Sequence, residues 1–459
     1  MDSGLVVVDD AVVTTRADER RQHGRLDTGV QLALELSYQH LPADRQRLLR
    51  LAAVHPGQEL DAYAAAVLTG SDPSAARAHL DDLCRDHLLH QAAPGRYTLH
   101  DLVRAFASGQ AGDEDSPAER RTALTRLFDF YLATAAGSMN SLYPAAARRL
   151  PRNPRPATPI PPVADADTAR AWLDTERPTL VAVAAQAASQ GWPSHATRLS
   201  EVLYRYLFAG HFTDALAIHG HALHAAEHAG DSTGQAHALT NLGVTHMQVG
   251  RYLPAAYHYR QALQLFRQTR DPVGQARALA NLGCVADRLG QYQESTDYQG
   301  QALRMFRQIH DRSGEARTLG NLGVVETKVG RYRDAAHHLQ QALDLIRQAG
   351  DRTGGAILLN NLGFVEVLLG RYRPANDHLQ QALRLQRKLG NRVGEALTLD
   401  TLGTLLTHLG RYAEATEHYQ EALVTFRETG QRDNEAGARV GALHRPWCAP
   451  GRSGSRPPA

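Results

Sequence analysis

The sequence predicts a mostly α-helical protein: a small helical unit with a short hairpin, followed by a solenoid of paired helices. Three observations carry this reading. Asn-Leu-Gly recurs at 241, 281, 321 and 361 and Thr-Leu-Gly stands at 401, so the spacing is 40 residues every time. Between these marks small and apolar residues return at helical spacing, as at Ala276, Leu279, Leu282 and Gly283. Near the start, LLHQ at 88–91 and RYTLH at 96–100 flank Ala-Pro-Gly, a hairpin signal.

In chain order, 1–27 reads as an unstructured remnant. Helices are expected over 28–40, 42–54 and 59–69, and a fourth from Ser71-Asp72-Pro73 to about Asp86, because Asp before Pro is a cap followed by a first-turn proline. With the hairpin and the helical spacing resumed at 101–107, residues 28–112 form a winged-helix-like pattern. A helical connector follows over 113–150. Six prolines between 151 and 164 read as a semi-rigid linker separating this portion from the next. Residues 165–230 read as helical, with 191–230 a worn copy of the repeat that caps the array. Five full repeats span 231–430. The end, 431–459, starts another first helix and passes into a Gly-, Pro-, Ser- and Arg-rich tail expected to be disordered.

Composition excludes several classes. The formal net charge is +2, so no global attraction to polyanions exists. Cys84, Cys284 and Cys448 stand far apart and form no C-x-x-C pair, which indicates neither a disulfide framework nor a cysteine-rich zinc site. No basic region precedes the first apolar run, and no apolar stretch approaches the roughly 20 residues of a membrane span. A cytoplasmic protein with no membrane partner is expected.

Each repeat reads as two helices. Leu-Gly-Gln-Tyr at 289–292 breaks the first, and small residues at Ala255, Ser295, Ala335, Ala375 and Ala415 in the second face the glycine of Asn-Leu-Gly. One such pair cannot bury its apolar face alone, so stacking supplies the core. Leu242, Gly243, Gly250, Tyr252, Ala255, Tyr259, Ala262 and Leu263 resemble the tetratricopeptide repeat in its long variant, as in the kinesin light chains and Pins-type scaffolds. The chain departs from that family where the first helix usually has tyrosine: here stand His246, Ala286, Glu326, Glu366 and Leu406.

LALELSYQHLP at 32–42, LHDLVRAFA at 99–107 and AWLDTERPTLVA at 171–182 resemble the region after the nucleotide-binding domain in AfsR-type regulators, which belong to the STAND class of signalling ATPases. In that family a Met-His-Asp-like motif follows the winged helix and its histidine approaches nucleotide phosphates. Leu99, His100 and Asp101 match it, so the resemblance implies nucleotide sensing for His100 and Asp101. A phosphate-binding loop, however, needs a Gly-Lys-Ser/Thr end. Only two lysines exist, Lys328 before Val329 and Lys388 before Leu389, so neither serves. The family's DNA-binding and ATPase domains are therefore expected to have no counterpart here, and His100 to act beside the hairpin. Direct DNA binding is disfavoured as well, since the candidate recognition helix 72–86 carries Asp72, Asp81, Asp82 and Asp86 against Arg77 and Arg85.

Chemistry is sparse. His221, His224 and His228 fall on one helical face, but their equivalents are Gln261, Gln264 and Gln268, so solvent rather than metal is the expected neighbour. Neither a nucleophile elbow nor His-Glu-x-x-His occurs. No enzyme, no cofactor and no metal are expected. The informative stripe is the first-helix face bearing Asn241, Asn281, Asn321 and Asn361. In the long-repeat family this face lines the concave groove, where asparagines hold an extended peptide's backbone. Stacked helices sit about 8–10 Å apart, close to three extended residues, so one amide per repeat can track a strand. The alternative is that each asparagine supports its own helix pair. On the same stripe Arg277, Arg288, Arg317 and Lys328 give way to Ile357, Phe364, Leu368 and Leu397. A ligand with an acidic and a hydrophobic part is expected; otherwise the apolar end packs on the C-terminal segment or on a second copy in a homo-oligomer.

The expected function is thus a non-enzymatic scaffold that binds a protein or peptide partner in the repeat groove. Two alternatives stay open: the sensor half of a transcriptional regulator acting with a separate DNA-binding or NTPase subunit, and direct DNA or nucleotide binding by 28–107.

Overall fold

The computed structural model describes residues 28–144, 160–429 and 438, and resolves two compact units, Met1–Thr245 and His246–Ala459. The expectations for 1–27, for most of the proline-rich stretch and for the tail lie outside the described residues.

The first unit opens with α1 (Thr28–Gln39) and α2 (Ala43–Ala53), then β1 (Glu59–Leu60), α3 (Ala62–Thr69) and α4 (Pro73–Arg85). The helix expected over 59–69 begins only at Ala62, because Asp61 caps it, accepting from the Ala64 amide at 2.8 Å, and Glu59 and Leu60 join a sheet instead. β2 (His90–Ala93) and β3 (Arg96–Thr98) form the expected hairpin around Gly95, whose φ of 72° suits a residue without a Cβ. β3 pairs antiparallel with both neighbours, in the order β1-β3-β2, which completes a small α/β subdomain. The acids of α4 are already engaged: Asp82 and Asp86 pair with Arg45, and Asp81 accepts from the Tyr97 hydroxyl.

α5 (Asp101–Glu114) and the long α6 (Pro117–Leu142) follow, then α7 (Ala166–Ser189), α8 (Pro193–Phe208), α9 (Phe212–His228) and α10 (Ser232–Gln248). Ser116 and Glu119 make a capping box at the start of α6. Leu49, Leu60 and Tyr97 of the subdomain share one apolar core with Phe128 and Tyr131 of α6, Leu180 of α7 and Leu203 of α8. The segment between α6 and α7 therefore joins two helices that pack on each other.

The second unit holds α11 (Tyr252–Gln268), α12 (Pro272–Arg288), α13 (Tyr292–Gln308), α14 (Arg312–Lys328), α15 (Tyr332–Ala349), α16 (Arg352–Leu368), α17 (Tyr372–Lys388), α18 (Arg392–His408) and α19 (Tyr412–Glu428). First helices are capped by Asp271, Asp311, Asp351 and Asn391, each accepting from the glycine amide three residues on at 3.0–3.1 Å. Consecutive helices pack antiparallel, and first helices of successive repeats also touch, whereas contacts between second helices are sparser. The first-helix face therefore lies on the inside of the array's curve.

The repeat glycine does more than meet a small residue. A Cβ on Gly323 would lie 2.6 Å from Leu339 Cγ and 3.2 Å from the Ala335 carbonyl, and one on Gly363 would lie 2.6 Å from Leu379 Cγ. The glycine thus seats the side chain four positions beyond the small residue. In the third repeat the missing tyrosine is replaced by polar pairing between the two helices, Glu326 accepting from His338 Nδ1 at 2.8 Å. A second Gly-side-chain seat recurs between repeats, with Gly274 against the Phe266 ring and Gly314 against Phe306. In the fourth repeat Gln386 occupies that seat against Gly394, and its Oε1 is buried without a partner. Gln386→Phe restores the arrangement and removes an unsatisfied oxygen, so it is expected to stabilise the second unit by roughly 1–2 kcal/mol. A thermal melt that does not rise would contradict this.

Candidate peptide-binding face

The face is built on α12, α14, α16 and α18. On each, residues at intervals of four, three and four project from one side: Arg277, Asn281, Cys284 and Arg288; Arg317, Asn321, Val324 and Lys328; Ile357, Asn361, Phe364 and Leu368; Leu397, Thr401, Thr404 and His408. Because the capped helix starts keep one phase, these four sets align.

At the α12–α14 end, Arg277, Arg288 and Arg317 are exposed and have no ion-pair partner among the described residues. Lys328 differs. Its ammonium donates to both carboxylate oxygens of Asp287 at 2.7 Å and lies 5.9 Å from the Tyr292 ring, so it ties two repeats together and its charge is neutralised locally. Cys284 is largely enclosed; burial pushes its thiol up, and Asn321 Nδ2 approaches Sγ at 3.3 Å. Asn321 therefore serves its neighbouring repeat. Asn281 and Asn361 are half-buried and have no side-chain hydrogen bond among the described residues. Asn241 belongs to the first unit, where its amide donates to Ser200 Oγ at 3.4 Å, and that hydroxyl contacts Nδ1 of the buried His219 at 2.7 Å. The ladder is thus divided: two asparagines brace side chains and two present free amides.

At the α16–α18 end the face is apolar, with Ile357 49%, Phe364 36% and Leu397 37% exposed. Two polar residues that the sequence reading missed lie among them. Asn360 Oδ1 is buried without a partner. The Asp400 carboxyl, with neither hydrogen bond nor ion pair among the described residues, is pushed by burial up to about 6. Their equivalents, Thr240, Ala280 and Gly320, are small, so a change from small to polar at one repeat position was the available signal.

In the first unit, His100 caps α5, its Nδ1 accepting from the Leu102 amide at 3.3 Å, and both it and Asp101 are exposed. One turn on, Arg104 donates to the carbonyls of Ala53, His55, Gly57 and Gln58. A cavity of about 440 Å³ lies there, lined by His55, Gln58, Arg104, Arg120 and Gln186 but not by His100. The His224 and His228 rings contact each other at 4.1 Å. Among the described residues no group of three or more His, Cys, Asp and Glu is placed to hold a metal ion, and no helix is long and apolar enough to cross a membrane.

Comparison with known proteins agrees with the repeats and the fold. A tetratricopeptide repeat model matches residues 246–308, 314–388 and 356–428. The chain is 36% identical over 244 residues to regulatory protein AfsR of Streptomyces griseus, covering 52% of this chain and 25% of that one. It is 41% identical over 128 residues to regulatory protein AfsR of Streptomyces coelicolor, covering 26% of this chain and 13% of that one. The chain thus spans a quarter or less of these curated relatives. Among solved structures, a signal transduction ATPase with numerous domains and a tetratricopeptide repeat sensor from Pyrococcus horikoshii superposes with a TM-score of 0.61 at 16% identity, covering 91% of this chain and 56% of that one. This likeness speaks for the fold.

Proposed function

Taking the chain as AfsR-like, with a tetratricopeptide interaction module as its second unit, we propose that the first-helix face binds an extended peptide segment of a protein partner. The observation that carries this reading is the charge and polarity gradient along one aligned face. Among the described residues, arginines without an ion-pair partner stand at one end, amides without a side-chain hydrogen bond at Asn281 and Asn361, and exposed aliphatic and aromatic side chains at the other. Buried apolar surface and charge-assisted contacts supply affinity, and the amides supply register to a backbone that has no hydrogen-bond partners of its own.

The triple variant Asn281→Ala, Asn321→Ala, Asn361→Ala is expected to weaken binding of an acidic-apolar peptide about tenfold or more, since two or three hydrogen bonds are lost at about 0.5–1.5 kcal/mol each. Fluorescence anisotropy with labelled peptide checks it. Wild-type affinity in the triple variant, with an unchanged melt, would exclude the ladder.

A regulatory role for the first unit is a second reading, supported by the similarity to regulatory protein AfsR. In this reading peptide binding by the array is passed to a separate DNA-binding or NTPase subunit. Such a subunit retained on the tagged chain during purification, and released by excess peptide, is the expected result; retention indifferent to peptide would count against it.

A further inference from the structure

We propose that the apolar end of the first-helix face receives a cationic group of the bound peptide, a lysine or arginine side chain or an amino terminus, on Asp400 with Asn360 beside it. This rests on the peptide-binding reading and specifies what one end of the ligand carries. Asn360 and Asp400 hold equivalent positions, one repeat apart, on helices α16 and α18, which pack on each other. Among the described residues each presents an acceptor without a donor: Asn360 through its buried Oδ1 and Asp400 through its carboxylate. Ile357 and Phe364, one turn before and after Asn360, and Leu397, one turn before Asp400, are exposed apolar side chains.

The chemistry of the occupant follows by elimination. A purely apolar peptide end would cover Ile357, Phe364 and Leu397 but strip water from a carboxylate while offering it nothing, which costs binding energy. An acidic end would add like-charge repulsion. A cation flanked by apolar residues covers the hydrophobic surface and supplies charge-assisted hydrogen bonds to Asp400, while a neighbouring backbone N–H donates to Asn360 Oδ1. Burial pushes the Asp400 carboxyl up to about 6, as befits a carboxylate with no counter-charge among the described residues.

The opposite end adds direction. Arg277, Arg288 and Arg317 lie on α12 and α14, so a peptide acidic at one end and cationic at the other finds complementary charge in one orientation alone. Three inter-helix steps of about 8–10 Å separate α12 from α18, which an extended chain of about eight residues covers at about 3.3 Å each.

The test uses the full chain and labelled eight-residue peptides with three acidic residues, an apolar middle and one lysine at the far end, made in both chain orders, with acetylated and amidated termini. Partner peptides carry norleucine in place of lysine. In one chain order, wild type is expected to favour the lysine peptide about tenfold, the scale of a charged hydrogen bond. Asp400→Asn is expected to abolish that preference while melting at or above the wild-type temperature, because it removes an unpaired buried charge. Equal affinity for lysine and norleucine peptides in both orders overturns this inference but leaves the peptide-binding reading standing, provided Arg277→Glu, Arg317→Glu still weakens both. A lowered melt for Asp400→Asn also overturns it, by assigning Asp400 a structural role. Absence of binding by any of the peptides overturns both readings.

Discussion

Arg96→Ala is expected to destabilise the first unit by about 3–5 kcal/mol, the usual consequence of removing one partner of a buried ion pair. Arg96 sits on β3 and pairs with Glu59 of β1 at 3.1 Å and with Glu176 of α7. It thereby joins the hairpin to the helical region 80 residues further on. The Glu176 side chain is only 3% exposed, and its second oxygen already lacks a partner. Without Arg96 the carboxylate would lose its ion-pair partner and keep only hydroxyl neighbours such as Thr179.

The pH dependence gives a signature. Burial raises the Glu176 carboxyl above its ordinary range even though Arg96 opposes the shift. In Arg96→Ala that opposition is gone, so the folded-state pKa rises further above the unfolded value. Such a group destabilises the fold as pH rises through the ordinary carboxylate range, and does so least below it, where the carboxyl is protonated in both states. Urea denaturation is therefore expected to show a large deficit at pH 8 that narrows toward pH 4. The double variant Arg96→Met, Glu176→Leu should recover most of the loss, because no charge then remains to be buried. A deficit that stays constant with pH would show that the arginine acts through packing alone.

Arg277→Glu with Arg317→Glu is expected to weaken an acidic-apolar peptide by about 30-fold at low salt. Each reversal replaces an attraction by a repulsion, a change of about 1 kcal/mol per exposed site. These arginines occupy equivalent positions on α12 and α14, with no acidic partner among the described residues to absorb the change. Raising salt from 0.1 M to 1 M shortens the screening length from about 10 Å to about 3 Å, so the difference should shrink to a few-fold. Lys328→Glu makes a useful contrast: its ammonium is held by Asp287, so it should lower stability rather than affinity alone. Unchanged peptide affinity in the double arginine variant would sink the groove model.

Much of the array was legible in sequence because its elements depend on local chemistry. Asp271, Asp311, Asp351 and Asn391 announce helix starts through their own capping bonds, and the 40-residue period fixes which side chains share a face. Arg277, Arg288, Arg317 and Phe364 accordingly project where the periodicity places them. What could not be read was pairing across repeats. Lys328 looks like any groove cation until Asp287, 41 residues earlier, is seen to hold it. Asn321 looks like its fellows until Cys284 is found beneath its amide. Glu59 and Leu60 carry no strand signal of their own; they leave the expected helix because β3 offers them a ladder.

Helical content, the repeat, the absence of a phosphate-binding lysine and the polarity gradient were determined by the sequence alone, since each depends on residue identity and short-range spacing. The tertiary structure alone decided that the α/β subdomain and helices α6 to α8 share one core, that Lys328 braces two repeats, and that Asp400 and Asn360 Oδ1 have no partner among the described residues. The physical reason is that burial and counter-charge are properties of neighbours in space, and the neighbours that settle them are supplied by helices tens of residues away.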